Sequence, residues 1–166
     1  MKKGDTNIDF VKLRLAYTET EDYSPYGGGE QRGKITKALS AKNYKDALKE
    51  AEKMLETNYV DLLAQYAAFI ANQELKKDKE AAFHKAVFKG LMDAIFVNDG
   101  LTAKTAYISI GISEQYFVMG YLGFERQSKG LVNENGSVFD VHTAYNSDTK
   151  ETRKFYFNID RVFGKF

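Results

Sequence analysis

Three features of the chain predict an α+β protein: helical apolar periodicity over residues 31 to 97, a shift at Asn98-Asp99-Gly100 to β-branched and aromatic residues, and an Asn135-Gly136 hairpin signal beyond it. The expected architecture is a helical layer of about five helices, with repeat-like hairpins, packed on a small, mostly antiparallel C-terminal sheet. A chain of 166 residues with 43% apolar content is expected to form a single domain, 1–166, with a helical subregion 1–97 and an α+β subregion 98–166.

The elements follow in order. Ile8, Val11 and Leu15 share a helical face, so a first helix is predicted over residues 8 to 17, capped by Thr6 or Asn7. Residues 18 to 30 carry the only proline and three consecutive glycines and read as a loop. Breaks at Lys42-Asn43, at Asn58 and at Lys76 to Lys79 divide the next stretch into four helices. The helix from Val60 to Leu75 is apolar around most of its circumference and is expected to be central. The one from Lys79 to Val97 is expected to bury Ala82, Phe83, Ala86, Val87, Leu91, Ala94 and Ile95.

Beyond the turn, Ala106 to Ile112 reads as a strand and Ser113 as the cap of a helix reaching Leu122. Three strands are predicted at 124–133, 137–146 and 152–160. Pairing the last two around Thr149 sets Val141 opposite Phe157 and Phe139 opposite Ile159, and His142 opposite Tyr156 and Asp140 opposite Asn158 on the other face. The sheet edge near the C-terminus is then either covered by Val162, Phe163 and Phe166 or left open to a partner strand.

Composition excludes several functions. Lys and Arg total 24 against 23 acidic residues, nearly balanced in both subregions, so binding of nucleic acid by bulk charge is not expected. Zero cysteines remove disulfides, thiolate metal sites and cysteine nucleophiles, and two distant histidines do not make a metal site, so neither metal nor cofactor is expected. No apolar run approaches the roughly 18 residues that span a bilayer. Ile8, Phe10, Val11, Leu13 and Leu15 are interleaved with Asp9, Lys12 and Arg14, which denies the opening residues a signal-peptide core.

The candidate sites are few. Gly28-Gly29-Glu30-Gln31-Arg32-Gly33-Lys34 fits the start of a phosphate-binding loop, but Ile35 replaces the magnesium-binding hydroxyl and Glu30 would repel phosphate, so a glycine turn entering a helix is expected. Asp140, His142 and Tyr156, with Asn158, form the one polar cluster able to host acid–base work, on what is expected to be a half-solvated sheet face. His84 is expected to be a helix-edge residue with a satisfied hydrogen bond. Tyr23, Pro25 and Tyr26 make an aromatic hook that either folds back on the helices or meets a partner.

Two resemblances add to this. Asn43-Tyr44 with Ala47, Leu48, Ala51, Met54 and Leu55 resembles the second helix of a tetratricopeptide repeat, and Asp78, Ala82, Phe83 and Ala86 echo it; the closing proline of that family is missing. Across the whole chain, Asp9-Phe10, Tyr23-Ser24-Pro25-Tyr26, Thr105-Ala106-Tyr107, Glu114-Gln115-Tyr116, Phe139-Asp140-Val141 and Phe155 to Asp160 resemble an uncharacterised bacterial family, domain of unknown function 4919. The resemblance implies an exported protein, periplasmic, secreted or envelope-associated with its leader removed. The function expected is a non-enzymatic protein-binding or scaffold role at the bacterial cell envelope, with an unidentified protein or peptide partner contacted through Tyr23, Pro25 and Tyr26. The alternative is a small hydrolase, or a glycan or small-molecule binder, using the Asp140/His142/Tyr156 face.

Overall fold

The computed structural model describes residues 7–163, so Thr6 and Phe166 lie outside the described residues. The chain divides into two compact units, Met1–Ala94 and Ile95–Phe166, close to the composition shift.

The first unit is helical: α1 Phe10–Tyr17, α2 Gly29–Ser40, α3 Tyr44–Thr57, α4 Leu62–Glu74 and most of α5 Asp78–Ile95. The α1 helix starts two residues later than predicted because Asp9, in an extended conformation, is its cap and its carboxylate accepts the Lys12 N–H at 3.0 Å. Asn43 caps α3 by accepting from Asp46 N–H, and Asp61 caps α4 by accepting from Ala64 N–H. The breaks between helices have a shared cause. At the end of α2, Lys42 turns left-handed, with φ 55°, and the Asn43 N–H reaches back to the Ala38 carbonyl. At the end of α4, Lys76 does the same at φ 61°, and Lys77 N–H reaches Asn72. Both satisfy carbonyls the helix would otherwise leave bare, with lysine where glycine is usual.

Ala47, Ala51, Ala64, Ala67, Ala68 and Ala71 are wholly buried between α3 and α4, joined by Ile35 from α2. These small side chains let the helix backbones come close, Leu48 and Met54 fill in beside them, and the apolar area removed from water drives the packing. On α5 the buried stripe runs through Ala81, Val87, Phe88, Leu91, Met92, Ala94 and Ile95. Ala82, predicted to be buried, is exposed, and Ala81 beside it is buried instead. Phe10 lies on Gly90, where a methyl group would sit 2.2 Å from the ring.

The second unit holds β1 Tyr107–Ile108, α6 Ile112–Tyr121, β2 Glu125–Glu134, β3 Ser137–Asn146 and β4 Glu151–Asn158. The sheet order is β1-β4-β3-β2, with β1 parallel to β4 and the rest antiparallel. The first strand is shorter than predicted because Gly111, not Ser113, caps α6. Glu114 then reaches back to accept the Ile110 N–H at 3.1 Å. Just past the end of the helix Gly123 takes φ 80°, with Phe124 N–H bonded to the Met119 carbonyl. Asn135 and Gly136 both have positive φ and close the β2–β3 hairpin as predicted. The final strand is not an edge, being flanked by β1 and β3; Val162 beyond it is buried and Phe163 exposed.

The β3–β4 register corrects the prediction by one residue. Val141 lies opposite Tyr156, His142 opposite Phe155, Asp140 opposite Phe157, and Phe139 opposite Asn158. The cause is the connecting loop. Asn146 accepts from the backbone N–H groups of Asp148 and Thr149, and Lys150 adopts φ 61°, which closes the hairpin as Asn146 opposite Glu151. Shifting the pairing by one exchanges the partners of every residue, so Asp140 and His142 now face the same way as Phe155 and Phe157.

Candidate functional site

That register places Asp140 and His142 on the buried face of a central strand, each 0% exposed. The predicted half-solvated face is therefore corrected: the pair belongs to the core of the second unit. Tyr156 and Asn158, expected to join them, point from the other face of β4 and are half-buried. What does join them is Gln115, from the face of α6 that also buries Val118 and Met119. Its amide nitrogen donates to Asp140 Oδ2 at 3.0 Å and approaches Ser109 Oγ at 3.4 Å, and its Oε1 lies 2.7 Å from His142 Nε2. Lys129 of β2, opposite His142, places its ammonium 2.9 Å from Asp140 Oδ2.

The proton positions follow from these partners. A carboxylate only accepts, so the amide nitrogen of Gln115 must face Asp140 and its oxygen must face the imidazole. His142 then donates from Nε2 and carries a bare lone pair on Nδ1. That atom and Asp140 Oδ1 are both buried with no hydrogen-bond partner. Burial holds the His142 pKa down at about 4, with Lys129 and Arg126 adding to the shift and Asp140 opposing it. A neutral imidazole next to a carboxylate is an acid–base pair in chemistry, but here Gln115 of α6 is bonded to both. Both residues are buried, with 1% of the Asp140 side chain exposed.

Gln115 and Lys129 were missed by sequence reasoning, although both leave a signal. Gln115 stands three and four residues before Val118 and Met119, on one helical face. Lys129 is set opposite His142 by the Asn135-Gly136 turn alone.

The other predicted residues are distributed in the first unit. Tyr23 stands edge-on to Tyr17 with centroids 5.5 Å apart, Pro25 is buried, and Tyr26 is 55% exposed. Arg32 anchors this loop. Its guanidinium bonds Asp61 at 2.7 and 2.9 Å and donates to the Gly27 carbonyl. Gly28 takes φ 78°, and a methyl group there would meet Arg32 at 2.9 Å and Met54 at 3.0 Å. Lys34 is paired with Glu30 at 2.7 Å rather than aimed at the glycine loop. His84 Nδ1 lies 2.8 Å from Gln65 Oε1, the satisfied helix-edge bond expected. Among the described residues no group of three or more His, Asp or Glu side chains is placed to hold a metal, and no helix is long and apolar enough to cross a membrane.

Fold and site together define an α+β protein whose polar cluster is built into its core. The chain belongs to the family described as Domain of unknown function (DUF4919), which matches residues 3–165. No curated protein and no solved structure matches it.

Proposed function

We propose that the protein is a non-catalytic binding or scaffold protein of the bacterial cell envelope, with Tyr26 as the anchor of its contact with a protein or peptide partner. The observation that carries this reading is the presentation of Tyr26. Its ring is 55% exposed on a loop that Arg32, Asp61, the buried Pro25 and the Tyr17–Tyr23 pair hold in place. A pre-ordered loop loses little entropy on binding, and an amphipathic aromatic ring is the kind of side chain that carries interface energy. The concealment of His142 and Asp140 beneath α6 supports binding over hydrolysis. The envelope setting rests on the resemblance to exported proteins.

The test is capture of crosslinked partners from the native envelope with three chains: unaltered, Tyr26→Ala, and Tyr121→Ala as a control at another exposed tyrosine. A protein retained by the control and lost with Tyr26→Ala is the expected result. Equal capture by all three would remove Tyr26 from the account.

A further inference from the structure

We propose that the hydrogen bond between Gln115 and His142 is an acid-released latch that holds α6 on the sheet of the second unit. The inference starts from the tautomer. Because Asp140 accepts from the Gln115 amide nitrogen, the imidazole must donate from Nε2, and the site of any added proton is Nδ1. That atom is buried and has no hydrogen-bond partner, so a proton placed there in the closed unit is a charge without an acceptor.

The groups around the ring set the sign. From β2, Lys129 lies directly opposite and Arg126 stands over Tyr116, at 5.1 Å from its ring centroid; both repel an imidazolium. From β3, Asp140 attracts it, but its Oδ2 is engaged by Lys129 and Gln115. From α6, the Tyr116 ring is edge-on at 5.9 Å, and the neighbouring Glu114 carboxylate accepts the Ile110 N–H. From β4 come the Phe155 position opposite and the Phe157 ring at 5.6 Å, while Arg153, two pairs further along, is bonded to Glu151. Desolvation and two cations outweigh one shared carboxylate, in accord with the depressed His142 pKa.

Protonation therefore requires exposure, and the cheapest exposure moves α6. Strand β3 is held by ladders on both sides, whereas α6 has ten residues and an N-cap, Gly111, that makes no side-chain cap bond. An imidazole freed by lifting α6 returns to its ordinary value near 6.5, so acid draws the helix off the sheet and uncovers Asp140, His142 and Gln115. With values of about 4 closed and 6.5 open, the opening equilibrium rises about 20-fold between pH 7 and pH 5, and about 30-fold from pH 7.5.

The test is amide hydrogen exchange of the full chain from pH 7.5 to 5.0, corrected for intrinsic rates. Protection of Val118, Met119 and Phe124 is expected to fall about 30-fold while the β3 and β4 amides hold. His142→Phe should abolish the response, and His84→Gln should keep it. Should His142→Phe fail to fold, the ring nitrogens of the unaltered protein decide the matter. The expected nitrogen spectrum shows His142 as the Nε2–H tautomer, with its titration following the loss of α6 protection. Constant α6 protection, loss of β3 and β4 protection in step with α6, or an Nδ1–H tautomer at His142 would each overturn the proposal.

Discussion

Each unit holds one of the chain's two histidines against a glutamine, and the two arrangements are mirror images in their chemistry. In the first, the Gln65 amide nitrogen is committed to the Tyr59 carbonyl at 2.7 Å, so its oxygen accepts from His84 Nδ1–H. In the second, the Gln115 nitrogen is committed to Asp140, so its oxygen accepts from His142 Nε2–H. His84 sits at the margin of a helical stripe and keeps part of its surface in water; His142 has none. The difference comes from the two periods. A helix turns its side chains through many intermediate directions, so a polar residue can settle at an edge. A strand offers two faces only, and the register decides which one a residue takes.

Removing Arg32 from the first unit should do the most damage. Arg32→Met leaves the Asp61 carboxylate, 6% exposed, without its cation, and the expected loss is about 3–5 kcal/mol in a urea titration. Adding Asp61→Asn should recover part of it, and no recovery would mean that the ion pair is not the cause.

Acid acts on the second unit. The His142 pKa is about 4 folded and 6.5 unfolded, so between those values the unfolded chain holds more protons. Stability is therefore full above pH 6.5 and falls as pH drops toward 4, by up to about 3 kcal/mol over that window. Urea midpoints of the His142→Phe chain should lack this component. His84 is shifted in the same direction by burial, so signals must be followed unit by unit.

Smaller effects mark the packing of each unit. Gly90→Ala drives a methyl group into the Phe10 ring and should cost about 1–3 kcal/mol, read from the same titration. Unchanged stability would show that α1 shifts freely on α5. At the surface, Glu30→Gln breaks the bridge to Lys34 and should leave the melting temperature unmoved, since exposed pairs of this kind contribute little.

The helices were legible because their punctuation is local. Asn43 caps with its own side chain, Lys42 and Lys76 close the exits, and Asn135-Gly136 dictates its turn, whereas the first cap, read at Thr6 or Asn7, is Asp9. The cluster was legible in part: Asp140 and His142 were found, Tyr156 was placed with them, and Gln115 and Lys129 were not. The misplacement of Tyr156 follows from one fact. The Asn146 side chain folds the β3–β4 connection into a loop that moves the pairing by one residue.

The sequence by itself determined the α+β class, the order of helices and strands, the Asn135-Gly136 hairpin and the helix-edge place of His84, since propensity, caps and periodicity act over a few neighbouring residues. Only the tertiary structure decided that Asp140 and His142 lie in the core, which tautomer His142 takes, and that Arg32 reaches across to Asp61 to hold the Tyr26 loop. Those outcomes depend on atoms distant in the chain meeting at hydrogen-bond range, where a shift of one residue reverses the face a side chain presents.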